Sequence, residues 1–182
     1  MRACPVLGPT PLTSPTANAF YILSSVFADL LFVYFLYSLW VQRSFRAWAY
    51  FLLYCGVQCL SLILKEIIRS PRPFGSCNHG YGMPSNHVSS VASVLSFWAV
   101  ESLWINSQPI NPKQLNMWKP LVAFLYLTLL MVSRVQLKYH TASQVSAGAI
   151  LGGVIGVVYP YATRLIRLES WLGWLNLIPK YA

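Results

Sequence analysis

Residues 47–73 read AWAYFLLYCGVQCLSLILKEIIRSPRP. From Ala47 to Leu64 no side chain carries a charge, and then Lys65, Glu66, Arg69 and Arg72 arrive within eight positions, closed by Pro71 and Pro73. A hydrocarbon core ~30 Å thick needs about 20 mostly apolar helical residues. Proline, in turn, turns the residue before it away from helix. The stretch therefore predicts a membrane-spanning helix that stops abruptly in a cationic segment. Four further stretches qualify as spans on either side of it, so the set is roughly 20–40, 47–68, 88–106, 120–138 and 144–164. The fold class expected is all-α: a polytopic bundle of about five transmembrane helices with its active site at one membrane interface.

Composition agrees. Of 182 residues, 56% are hydrophobic, 15% aromatic and only 9% charged, against about 25% charged in soluble domains. With a mean hydropathy of +0.52, disorder is excluded as well. Thirteen Lys plus Arg against four Asp plus Glu give a net charge of +9. On a soluble chain that would suggest nucleic acid. Here the cations gather at the ends of apolar runs, which points to membrane lipid and an anionic substrate, with no nucleic acid. The four cysteines form no CxxC, and Cys55 and Cys59 read as packing residues.

Residues 1–19 hold Pro5, Pro9, Pro11 and Pro15 and predict a flexible tail, without the basic start and cleavage site of a removable signal peptide. Residues 20–167 form the membrane domain. Residues 168–182, with Trp171 and Trp174, are expected to lie at an interface. Five spans put 69–87 and 139–143 on one face and 41–46, 107–119 and the C-terminus on the other. The second face carries Arg43, Arg46, Lys113, Lys119, Arg164, Arg167 and Lys180. The first face carries Arg2, Lys65, Arg69, Arg72, Arg134 and Lys138; three of these six are assigned below to a site, so the positive-inside rule places the second face in the cytosol.

The unusual polar residues of the first face fall in three segments: Lys65 to Pro73, Gly82-Met83-Pro84-Ser85-Asn86-His87, and Ser133-Arg134 through His140 to Gln144. Buried cations at membrane depth cost about 2.5–3.5 kcal/mol each on insertion scales, so a group of them calls for an anion. The acids are badly placed to supply it. Asp29 is mid-span, where a hydrogen-bonded packing role is expected, and Glu101 lies ~20 Å from the motif face at 1.5 Å per residue. Glu66 points about 100° away from Lys65 around a helix. A phosphate would balance Lys65, Arg72 and Arg134, and Ser85 with Asn86 begins a helix whose free N–H groups suit such an anion. One imidazole can attack phosphorus while another protonates the leaving oxygen. If the joint after Tyr139 is helical, Gln144 shares a face with His140, and its oxygen can accept the Nδ1–H.

These motifs resemble the signature of the type 2 phosphatidate phosphatase superfamily: Lys65, six residues, Arg72-Pro73; Pro84-Ser85-x-His87; Ser133-Arg134, five residues, His140. Within it, Gly82 to His87 and Tyr139 to Val145 look like the dolichyl diphosphatase branch, with plastid lipid phosphatases also similar. The resemblance implies hydrolysis of a polyprenyl (dolichyl) diphosphate to the monophosphate. His140 would be nucleophile, His87 general acid, and Lys65, Arg72, Ser85, Asn86 and Arg134 phosphate ligands, with no metal and no cofactor. It further implies the endoplasmic reticulum membrane, a luminal site and recycling of a glycosylation carrier. Two positions depart from the pattern. Gln144 stands where the superfamily usually has Asp, and Asn86 where the branch usually has Ser.

A diphosphate makes the glutamine tolerable, since its leaving group has a conjugate acid of pKa about 6, far below an alkoxide's. Gln144 is thus read as a diphosphate marker. Two rivals stand beside this reading: a broad phosphatase for phosphatidate-like monoesters, and a lipid-phosphate-binding protein with a dead site. Of the remaining features, His79 reads as a loop residue rather than part of a three-histidine zinc site. Arg69 reads as a snorkelling charge. Gly148, Gly152 and Gly156 read as a stripe for close helix packing.

Overall fold

The computed structural model describes residues 15–76, 80–102, 118–165 and 170. Five helices account for nearly all of them: α1 Pro15–Gln42, α2 Phe45–Ile68, α3 Asn86–Val100, α4 Trp118–Gln136 and α5 Ala142–Leu165. No strand occurs among the described residues. α1 begins at Pro15, inside the segment expected to be tail; proline at a first helical position costs no hydrogen bond. The far end of span three, residues 107–117 of the expected loop and nearly all of the C-terminal tail fall outside the described residues, and Trp118 and Lys119, expected in that loop, already belong to α4.

Each boundary has a local cause. Ser44 caps α2 by accepting the Ala47 N–H at 3.2 Å. Arg69 ends it in the left-handed region, φ 52°, its N–H returning to the Lys65 carbonyl at 2.9 Å. α4 closes through a turn in which Lys138 has φ 56°. The helical stretches Tyr21–Gln42, Phe45–Ile68 and Ala142–Leu165 are long and apolar enough to cross a bilayer, whereas the apolar run Pro120–Gln136 of α4 is shorter. The exposed side chains of α1, α4 and α5 include Phe27, Val33, Phe124, Leu125, Ile150 and Val154. Such an outward apolar surface suits lipid.

α3 is the axis of the bundle. Every residue from Val88 to Val94 is buried, and α3 meets α1, α2, α4 and α5. One apolar cluster joins Ala28, Val88, Val91, Leu130 and Val145 from four helices, and a second joins Ala49, Leu53, Val57 and Phe97. Along the α3–α5 seam the glycine stripe behaves as expected. A Cβ at Gly148 would come 2.8 Å from the Ser85 carbonyl oxygen, and Cβ atoms at Gly152 and Gly156 would collide with the Ser89 and Ser93 carbonyls. Backbone-to-backbone contact of this kind fixes the height at which α3 presents its first turn.

Candidate active site

The C-terminal ends of α2 and α4, the start of α3 and the two joints beside them meet at one end of the bundle. α2 delivers Lys65, the following loop Arg72, the N-cap of α3 Ser85 and its first turn Asn86 and His87, α4 Arg134, and the α4–α5 joint His140. Lys65, Arg134, His140, Gln144 and Ser85 are all buried. Among the described residues the three cations meet no carboxylate. Glu101, the acid at the far end of α3, is taken by Arg46, Nη2 to Oε2 at 2.8 Å, and by the Tyr50 hydroxyl at 2.8 Å.

Arg72 and Arg134 are held by the joint itself. Arg72 Nη1 donates to the Tyr139 carbonyl at 2.8 Å, and the Arg134 guanidinium lies 4.7 Å from the Tyr139 ring centre. Tyr139 and His140 both donate their N–H to the Arg134 carbonyl at 3.1 Å. Among the described residues, seven buried polar side-chain atoms lack a protein partner, and five of these belong to Arg72, Ser85, Asn86, Arg134 and His140. Buried polar atoms are nearly always paired with protein or water; the Arg72 and Arg134 Nε–H groups and the Ser85 hydroxyl can each donate to an anion, whereas Asn86 Oδ1 can only accept. Ser85 lies deepest; its hydroxyl makes no cap bond and its N–H donates to the Gln144 carbonyl at 3.2 Å.

Electrostatics set the state of His140. Burial, then the positive charges of Arg134, Arg72 and Lys65, push its pKa down to about 3, while the adjacent Gly82 backbone acts in the opposite direction. His140 is neutral at any physiological pH, which is the form a nucleophile needs. Burial also lowers the Arg72 pKa.

Two expectations are corrected. The joint carrying His140 is a turn, and α5 begins only at Ala142, so Gln144 does not stack over His140. Both ends of its amide are engaged elsewhere. Oε1 accepts the Thr141 N–H at 3.1 Å, and Nε2 donates to Ser70 Oγ at 3.2 Å and the Pro71 carbonyl at 2.7 Å. Thr141 Oγ1 in turn accepts the Gln144 N–H at 3.3 Å. This is a reciprocal capping box, readable in Thr141-Ala142-Ser143-Gln144, and it ties the Arg72 loop to the His140 joint. The second correction concerns Asp29. Its Oδ1 lies 2.9 Å from His87 Nε2, while Arg134 Nη2 lies 3.2 Å from His87 Nδ1. The only sequence signal for this contact was that an acid occurs within a span. His79 and Cys77 fall outside the described residues.

A cationic, two-histidine anion site at one end of a helical membrane bundle is thus the class this chain defines. Residues 46–167 match the PAP2 superfamily, and the chain belongs to that superfamily. It is 31% identical to dolichyldiphosphatase 1 of Mus musculus, over 63% of this chain and 54% of that protein. It is 28% identical to the dolichyldiphosphatase of Saccharomyces cerevisiae, over 62% and 49%. Lipid phosphate phosphatase epsilon 2, chloroplastic, of Arabidopsis thaliana is 32% identical, over 62% and 38%. The chain spans about half the length of the curated relatives it matches. Its fold is similar to the crystal structure of a transmembrane PAP2-type phosphatidylglycerolphosphate phosphatase from Bacillus subtilis, with TM-score 0.66 and 20% identity over 85% of this chain and 80% of that one.

Proposed function

We propose that the protein is a membrane phosphatase that removes the terminal phosphate of a polyprenyl diphosphate, of which dolichyl diphosphate is the favoured example. The observation that carries this is the convergence of Lys65, Arg72 and Arg134 around a neutral, buried His140, with no carboxylate on any of the three cations among the described residues. The cations hold the terminal phosphoryl group and offset its transition-state charge. The His140 ring attacks phosphorus in line, and His87 protonates the departing lipid phosphate. Water, deprotonated by His87, then cleaves the phosphohistidine and frees inorganic phosphate. The polyprenyl tail stays in lipid throughout.

Two features favour a diphosphate. Among the described residues no carboxylate meets His140; Gln144 occupies the position four residues on and is engaged with Thr141, Ser70 and Pro71. A lipid phosphate, with its conjugate acid near pKa 6, leaves without strong assistance. The names of the mouse and yeast relatives support the same substrate. They also support the endoplasmic reticulum membrane, and the charge asymmetry of the loops favours a luminal site. A second reading, a broad lipid phosphatase acting on monoesters, is favoured by the chloroplastic relative.

Phosphate release by the purified protein in detergent, from dolichyl diphosphate and from phosphatidate in excess EDTA, separates the two. Release predominantly from the diphosphate is expected, and Gln144→Asp should raise the share of monoester hydrolysis. Equal release from both lipids would favour the broad phosphatase. An unchanged preference in Gln144→Asp would remove the link between that residue and the diphosphate. No release from either, by folded protein, would favour a dead site.

A further inference from the structure

The carboxylate missing beside the nucleophile has a counterpart on the other histidine. Arginine has no hydrogen-bond acceptor, so the 3.2 Å contact from Arg134 Nη2 makes His87 Nδ1 the acceptor and puts the ring proton on Nε2. There Asp29 Oδ1 receives it at 2.9 Å. The turn of α1 bearing Asp29 is pinned from two sides. Tyr126 of α4 donates its hydroxyl to the Ser24 carbonyl at 3.2 Å, and Tyr54 of α2 donates to the Ala28 carbonyl at 3.4 Å. Ala28 itself packs in the cluster containing Val88 and Leu130. The carboxylate also borders a cavity of about 380 Å³ between α1 and α2, lined by Phe32, Tyr54, Cys55, Gln58 and Cys59. An acid on a membrane helix is costly without a partner, and His87 is the partner the fold supplies.

We infer that Asp29 is a positioning residue for the acid step, holding the Nε2–H of His87 so that Nδ1 faces the substrate and stabilising the imidazolium that protonates the leaving group. The inference deepens the phosphatase reading and rests on the role given there to His87. The charged groups facing His87 are Asp29 from α1, Lys65 from α2 and Arg134 from α4; Asp29 alone among these three favours the protonated ring. When phosphate oxygens engage Arg134, Nδ1 is free to carry a second proton. As the bond from the His140 ring to phosphorus forms, the bond from phosphorus to the lipid-side oxygen breaks and that oxygen takes the Nδ1 proton. Water then returns a proton to Nδ1 as its oxygen bonds phosphorus and the phosphorus–nitrogen bond breaks. Asp29 ends each cycle unchanged.

The test compares wild type, Asp29→Asn and Asp29→Glu in detergent, with polyprenyl diphosphate and phosphatidate as substrates across pH. Asp29→Asn should lower kcat about tenfold or more on phosphatidate, whose alkoxide needs the proton, and less on the diphosphate, with KM little changed. The basic limb of its kcat profile should move about one pH unit lower, and Asp29→Glu should restore it. In a His87→Ala background the Asp29→Asn change should have no further effect. An unmoved basic limb, or an equal loss in the His87→Ala background, would overturn the assignment while leaving the phosphatase reading intact. A wild type that releases phosphate from neither lipid would overturn that reading and this one together.

Discussion

His140 is neutral because it is buried among like charges, and that has a consequence measurable without substrate. Its pKa is about 3 in the folded protein, against about 6.5 in an unfolded chain. Between those values the unfolded state binds the extra proton, so stability is lost as pH falls from about 6.5 towards 3, by at most about 1.4 kcal/mol per pH unit. Replacing the imidazole removes the term. Thermal midpoints of the detergent-solubilised protein between pH 8 and 5 should fall less steeply in His140→Asn than in wild type; parallel curves would show that His140 is not buried as described. Lys65, Arg72, Arg134, His87 and His140 were all legible in the sequence, because basic residues at the ends of apolar runs are conspicuous. The partners were not. Asp29 lies 58 positions from His87, and only the tertiary fold brings them together. Gln144 was read through an assumed helix at the joint, although Thr141-Ala142-Ser143-Gln144 carries the local signal for a cap.

At the scale of elements, the site depends on how closely α5 approaches α3. The prohibition is local to one side of α5. A Cβ at Gly152 would collide with the Ser89 carbonyl, whereas one at Gly153 would meet only Ser96 Oγ, 3.8 Å away. Gly152→Ala should therefore cost about 1–3 kcal/mol through overpacking. It should also depress turnover, by shifting the first turn of α3 with Ser85, Asn86 and His87. Gly153→Ala should be neutral or slightly stabilising, since alanine is the better helix former. Thermal midpoints and phosphate release of the two variants test this pair; equal effects would mean that the seam does not set the height of α3. The five helices and the glycine stripe were legible from apolar run length and spacing. That α3 would be buried from Val88 to Val94 was not, because a central helix and a lipid-facing one have similar hydropathy. Its serines, Ser89 bonded to Ser61 at 2.9 Å and Ser93 to the Ser90 carbonyl at 2.8 Å, are the compositional sign of an interior position.

For the whole molecule, the arrangement divides labour between a lipid-facing exterior and one polar end. α1, α4 and α5 expose aliphatic and aromatic side chains, while the cations and both histidines gather where α2 and α4 end and α3 begins. A lipid-linked phosphate, the substrate proposed, would reach such a site with its tail still in the bilayer, and the proposed chemistry needs one covalent stop, on His140. Rapid quenching of the purified protein during turnover of polyprenyl diphosphate labelled in its terminal phosphate tests that stop directly. The expected result is an acid-labile, alkali-stable phosphoryl group mapped to His140, lost in His140→Ala together with phosphate release. Turnover by His140→Ala at the wild-type rate, or the label mapped to a different residue, would contradict the account.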